Sequence, residues 1–204
     1  MKLIFATNNQ HKVDEIRHAI GVAFELMTLS EAGIYIDIPE PYDTLEANAS
    51  TKSKTIYQLS HVNCFSEDTG LEVEALNGEP GVKSARYAGD EKSFEKNIEK
   101  LLIKLSDKTD RSARFRTVIS LIIDGQELQF EGICNGKITY ERKGSLGFGY
   151  DPVFIPEGSD LTFAEMGLAE KDRFSHRAKA VAKLVAFLSH ITPVTHSLES
   201  KSKN

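Results

Sequence analysis

Cysteine is scarce in this chain, long apolar runs are missing and positive charge is not in excess. Each shortage removes a class of protein. The two cysteines, Cys64 and Cys134, lie in apolar, strand-like surroundings with neither the CxxC spacing nor the clustered histidines of a zinc site, and they make no disulfide framework. No apolar stretch approaches the roughly 20 residues of a membrane span. The opening Met1-Lys2-Leu3-Ile4-Phe5-Ala6 runs into polar Thr7-Asn8-Asn9-Gln10 too soon for a secretory signal, so a cytoplasmic protein with no membrane partner is expected. The GxxxxGK[ST] phosphate loop occurs nowhere. A net charge of -5 and a pI near 5.7 argue against a nucleic-acid partner, because wrapping a phosphate backbone needs a basic footprint.

What remains is ordinary globular material, 40% hydrophobic and 27% charged over 204 residues. It reads as a single domain over residues 1–192 and a polar tail rich in Ser and Lys, 193–204, expected to fray. Leu3 to Ala6 predicts a short buried strand, and Val13, Ile16 and Ile20 follow at helical spacing. Thr44 can cap a second helix running to about Leu59. Val62 to Phe65 resumes strand character. The polar run Ser66-Glu67-Asp68-Thr69-Gly70 is expected to end that strand, with Leu71, Val73 and Ala75 alternating beyond it as a strand with one wet face. Asn77 to Gly81 reads as a turn, and Phe94, Ile98, Leu101, Leu102 and Leu105 as an amphipathic helix. Ala113, Phe115, Thr117, Ile119, Leu121 and Ile123 alternate, Asp124-Gly125 signals a hairpin, and Leu128 and Phe130 return the chain as a long antiparallel ribbon. A short strand at Val153 to Ile155 and a helix from near Ser175 complete a mixed α/β fold, a long sheet with helices packed on it.

Several polar clusters interrupt this frame. Thr7 to Lys12 lies between a strand and a helix, where N–H groups and the helix dipole favour an anion; it fits a plain connection as well. Glu67-Asp68-Thr69-Gly70 sets adjacent carboxylates at a strand end, suited to Mg2+ or to an acidic turn capped by Gly70. Glu40, in Pro39-Glu40-Pro41, and Lys52, on the second helix, could join such a site or face solvent. Gly147-Phe148-Gly149-Tyr150-Asp151-Pro152 sets two aromatics among glycines, as a stacking platform for a planar base or a plug at a core edge. Lys171 and Ser175-His176-Arg177 fall just before and at the start of the last helix, where Ser175 suits an N-cap and the charges suit either solvent or a site.

Taken in order, Thr7-x-Asn9-x-x-Lys12, Glu67-Asp68-Thr69-Gly70, Pro80-Gly81-x-x-Ser84-Ala85-Arg86-Tyr87, Phe148-Gly149-Tyr150-Asp151-Pro152 and Ser175-His176-Arg177 resemble the inosine triphosphate pyrophosphatase family, also called the noncanonical purine NTP pyrophosphatase or Ham1-like family. The likeness extends over about residues 1 to 190. It implies an elongated mixed sheet flanked by helices, two lobes with the nucleotide in a central cleft, and a homodimer. It also implies a magnesium-dependent enzyme that hydrolyses ITP, dITP and XTP to the monophosphate and pyrophosphate, cleansing the nucleotide pool. By the same resemblance Thr7, Asn8, Asn9, Gln10, His11 and Lys12 would bind the triphosphate. Asp68 would be the proton acceptor and a metal ligand, Glu40 a second metal carboxylate, and Lys52 and Thr69 phosphate contacts. Phe148, Gly149, Tyr150 and Asp151 would form the base pocket, completed by Lys171, His176 and Arg177, which would read the purine's 6-oxo edge. Position 8 is Asn where the family pattern often has Gly, so the loop has to accommodate a side chain there.

Two other readings use the same residues. A pyrophosphatase for other modified or ordinary nucleotides is the nearer, and the Phe148-to-Asp151 pocket speaks against it. A noncatalytic nucleotide sensor on the same scaffold would be expected to have lost its acidic centre, whereas Glu67-Asp68 is intact.

Overall fold

β1 (Lys2–Phe5) sets the two faces of the molecule by its alternation: Leu3 and Phe5 enter one core, Ile4 and the following Ala6 another. The computed structural model describes residues 2–20 and 24–191; the polar tail, 193–204, and residue 192 lie outside the described residues. α1 (Gln10–Ile20) follows β1, and β2 (Glu25–Thr28) returns parallel to it, a strand too short to show a period in sequence. α2 (Leu45–Ser60) starts at Thr44, whose hydroxyl accepts the Ala47 N–H as an N-cap. β3 (Cys64–Val73) lies parallel to β1, with the two-residue β4 (Pro80–Gly81) antiparallel to it. α3 (Phe94–Lys104), capped by Ser93, precedes the expected ribbon, β5 (Ser112–Ile123) and β6 (Gln126–Ile138), which turns at Asp124-Gly125 with both residues at positive φ. β7 (Phe154–Pro156), the four-residue α4 (Leu168–Lys171) and α5 (His176–Ile191) complete the chain.

The strands form one sheet in the order β2-β1-β3-β5-β6-β7, with β4 on β3, parallel on its β2-β1-β3 side and antiparallel beyond. α1 and α5 cover one face over Leu3, Phe5, Phe65, Ile119 and Leu121, while α2 covers the other through Leu45, Ala49 and Ile56. At the far end, Leu71, Val73 and Phe115 pack with Ile98 and Leu101 of α3 and with Phe154 and Phe163. Two lobes thus share β3 and β5. Among the described residues no helix is long and apolar enough to cross a membrane.

The structure corrects several local expectations. Ser66 to Gly70 does not end a strand, because β3 runs unbroken to Val73; Leu71 and Val73 belong to it, buried on either side of a partly exposed Glu72, which is the expected wet face. A polar run can stay in a buried strand when each group has a partner. Ser66 donates to Ala49 O, Thr69 shares a 2.6 Å hydrogen bond with Thr117, and the carboxylates meet cations. Ala75 falls instead in a 3-10 turn, Glu74–Leu76. Gly70 is no turn cap: a Cβ there would lie 2.6 Å from Gly81 O, so the absent side chain lets β4 approach. In β5 the alternate set Val118, Ser120 and Ile122 is buried too, since α2 covers that side.

Candidate active site

Because consecutive strand residues face opposite ways, Glu67 and Asp68 do not work as a pair, and both sit in the middle of β3 rather than at a strand end. Glu67 turns toward α1 and α5. Its carboxylate accepts Arg177 Nε at 3.0 Å and Nη2 at 3.1 Å and meets Lys12 Nζ at 2.8 Å. Burial alone would raise its pKa, but Arg177 and Lys12 outweigh burial and hold it well below the carboxylate range.

Asp68 turns toward α2. Lys52 Nζ donates to Asp68 Oδ1 at 3.1 Å, to Glu40 Oε1 at 2.5 Å and to the Glu67 carbonyl at 2.8 Å. Glu40 therefore joins the site from its loop, with Arg86 Nη1 3.3 Å from its other oxygen. Burial would raise the pKa of Glu40, yet Lys52 and Lys12 bring it down to about 2. Asp68 is deeper, and there burial prevails over Lys52 and Lys12, so its pKa is raised. Lys52 loses more by burial than by any other cause, but Asp68 and Glu40 together raise its pKa and keep it charged. Of the carboxylates on this ammonium, Asp68 is the one disposed to take a proton.

The loop after β1 reaches the same place from above. Asn9 starts α1, its Oδ1 accepting the Lys12 N–H, and Thr7 Oγ1 accepts the Asn9 N–H. Asn8 is exposed with its Nδ2 on Ile36 O, and it needs no positive φ, which explains how Asn is accommodated where glycine is frequent. Thr7, Asn8, Asn9 and Lys12 line the cavity. Gln10 and His11 do not: Gln10 Nε2 donates back to Asp14, and the His11 ring lies on Phe148.

At the other end, Phe148 and Gly149 are half-buried in a loop held by Asp151, whose Oδ2 accepts the Phe148 N–H at 2.9 Å and Lys171 Nζ at 2.6 Å. Gly147 is required there: its φ is +72, and a Cβ would lie 2.1 Å from that carboxylate oxygen. Tyr150 is buried, its hydroxyl donating to Ser84 O, and it lines the cavity beside Phe148, the more exposed of the two aromatics. Lys171 and Arg177 are buried, not solvent-facing, and both reach Glu15 on α1, Lys171 at 2.6 Å. Ser175 caps α5, accepting the Arg177 and Ala178 N–H groups. His176 stacks on Phe115 with ring centroids 4.6 Å apart, and its Nδ1 has no partner. Burial, then the nearby Arg177 and Lys171, push its pKa well below 6.5, so the ring is neutral.

Lys12, Glu40, Lys52, Asp68, Phe148 and Arg177 line one cavity of about 390 Å³. Arg86, Lys92 and Phe94 also line it, and Glu15 anchors two of its cations; of these only Arg86 stands in one of the sequence motifs, and none is assigned a site role from sequence. Glu15 carried a faint signal, a charge one residue before Ile16 at the edge of the apolar stripe of α1. Among the described residues no group of three or more His, Cys, Asp and Glu side chains could hold a metal by itself.

Fold and cavity define an α/β protein with a cleft between two lobes, cationic and carboxylate-bearing at one end and aromatic with buried donors at the other, shaped for an anion with a planar group. A model of the Ham1 family matches residues 3–187, and the chain belongs to that family. It is 54% identical over 188 residues to the dITP/XTP pyrophosphatase of Porphyromonas gingivalis, which covers 92% of this chain and 97% of that one. It is 49% identical over 189 residues to the protein of the same name from Christiangramia forsetii, covering 93% and 100%. The solved Ham1 protein of Staphylococcus aureus has a TM-score of 0.85 at 40% identity over 94% of this chain and 100% of its own. That of Coxiella burnetii has 0.85 at 32% identity over 93% and 99%.

Proposed function

We propose that this protein hydrolyses noncanonical purine nucleoside triphosphates, ITP, dITP and XTP, to the monophosphate and pyrophosphate. The observation that carries the reading is the convergence of Lys52, Asp68 and Glu40 beside Lys12, in one cavity with Phe148 and Arg177, where Glu67 ties Arg177 to Lys12. Thr7, Asn9, Lys12, Lys52 and Thr69 would take the triphosphate, and Phe148 would stack on the base. Water attacks the α-phosphorus and gives its proton to Asp68, whose raised pKa suits that task. The bond from the α-phosphorus to the bridging oxygen breaks, and pyrophosphate leaves with the electron pair. Lys12 and Lys52 oppose the charge gathered on the phosphate oxygens.

Glu40 and Asp68 already converge on one cation, the Lys52 ammonium, and two carboxylates beside a phosphate are a donor set suited to Mg2+. Bound there, the ion would supply further neutralisation of phosphate charge. Donors from Arg177 or His176 suit the 6-oxo acceptor of hypoxanthine and xanthine and would be left unpaired by the amine of adenine. One sheet running through both lobes supports a single working domain over residues 1–192, and family membership supports a cytoplasmic homodimer.

The test is pyrophosphate release from ITP, XTP, GTP and ATP with Mg2+, each repeated with EDTA. Metal-dependent release from ITP and XTP far above the other two is expected. No release from any of the four would overturn the assignment.

A further inference from the structure

The His11 imidazole lies parallel to the Phe148 ring, centroids 5.0 Å apart and planes 12° apart. Phe94 meets His11 edge-on at 6.3 Å and stands 6.1 Å from Phe148. The rings come from the first turn of α1, the start of α3 and the glycine-flanked loop. α1 is packed into one lobe and α3 into the other, so the group spans the mouth of the cleft.

Phe148 and Phe94 line the cavity; His11 does not, and it is exposed. On the cavity side, Lys171 Nζ and Arg177 Cζ stand 5.4 and 5.6 Å from the Phe148 centroid. The backbone on either side of Phe148 is glycine at positive φ, Gly147 and Gly149, and Asp151 fixes the Phe148 N–H, but neither sets the plane of its ring. His11 supplies what that backbone lacks, a flat surface behind the ring.

We propose that His11, backed by Phe94, is a positioning residue that sets the Phe148 ring from outside the cleft, so that an incoming purine meets a surface already oriented. The proposal rests on the reading of Phe148 as the base platform. It separates His11 from the triphosphate contacts expected for its neighbours. The first turn of α1 then serves both ends of the nucleotide, Lys12 the phosphates and His11 the base. A planar ring at position 11 is what the role requires, and an aliphatic residue cannot fill it. An aromatic pair of this kind changes base affinity by about three- to tenfold.

The experiment measures kcat and KM for ITP in the wild-type protein, His11→Ala, His11→Phe and Phe94→Ala, with inorganic tripolyphosphate, which has no base, as a competitive inhibitor. His11→Ala should raise KM about three- to tenfold while kcat and the inhibition constant of tripolyphosphate hardly change. His11→Phe should restore KM, and Phe94→Ala should give a smaller rise. Unchanged KM in His11→Ala, weakened tripolyphosphate inhibition in step with it, or no rescue by His11→Phe would each overturn the proposal. Wild-type protein that releases no pyrophosphate from ITP would remove the functional reading itself, and this inference with it.

Discussion

The Lys52 ammonium lies 3.1 Å from Asp68 Oδ1, and the same nitrogen is 2.5 Å from Glu40. One buried cation therefore serves two carboxylates, and the two differ in proton affinity: Glu40 is held at about 2, while burial raises Asp68. Two acids around one ammonium are in this way assigned different tasks, by depth first and then by their other charged neighbours, Arg86 at Glu40 and Glu40 itself at Asp68.

Asp68→Asn keeps the shape of the side chain and removes the basic oxygen. Turnover of ITP should fall by about a hundredfold or more. The melting temperature should hold or rise slightly, because a carboxylate disfavoured by burial has been neutralised while Lys52 keeps Glu40. Near wild-type kcat in this variant would show that Asp68 neither accepts the proton nor orients the water.

Arg177 is only 2% exposed and neutralises both Glu67 and Glu15. Arg177→Ala would leave two buried carboxylates short of a partner, at a cost of about 3–5 kcal/mol in unfolding free energy. A changed base selectivity in that variant would then be read through a damaged fold, so selectivity is better tested at Phe148. A loss below about 1 kcal/mol in denaturant unfolding would mean that the network is solvated rather than buried.

Acid should weaken the fold in two windows. The folded pKa of His176 is depressed, so below about 6.5 the unfolded chain binds the extra proton and stability falls, by at most about 1.4 kcal/mol per pH unit. Glu15, Glu67 and Glu40 are depressed from 4.5, so their contribution is full above that value and is lost as pH falls toward 2. Asp68 and Asp151, raised by burial, protonate first in the folded protein and offset part of this second loss. Unfolding midpoints followed from pH 7 to 3 should show both steps, and His176→Phe should remove the upper one only. Persistence of the upper step in His176→Phe would assign it to another group.

Gly132, on β6, lies under the first turn of α5, where a Cβ would stand 2.0 Å from His176 O and 2.6 Å from Ala180 N. Backbone cannot yield as a side-chain tip can. Gly132→Ala should therefore lift the start of α5, which carries His176 and Arg177, and cost about 1–3 kcal/mol or more together with most of the activity. Gly167→Ala, with nothing within 4 Å of the new Cβ, is the control and should change stability little. Equal melting temperatures for the two variants would contradict the close approach of α5 to β6.

Much of this molecule is legible in its sequence. The ribbon, its turn at Asp124-Gly125, α2 with its Thr44 cap and α3 all follow from alternation, helical spacing and turn chemistry, which involve residues close in the chain. β2 was not legible because four residues show no period, and α4 was hidden for the same reason. The ordered motifs brought Asp68, Lys12, Phe148 and Arg177 forward as candidates, but Glu15 and Phe94 stood among ordinary helix residues with nothing local to mark them.

By itself the sequence determined the family, the α/β class, most of the elements and the kinds of group available for chemistry, since residue order and periodicity are properties of the chain. Only the tertiary structure decided that β3 continues through Ser66 to Gly70, because Ala49, Lys52, Thr117 and Arg177, which satisfy its polar side chains, are remote in sequence. That continuation decides the rest of the site. An unbroken strand sends adjacent side chains to opposite faces, so Glu67 becomes the anchor of Arg177 and Lys12, and Asp68 becomes the carboxylate at Lys52.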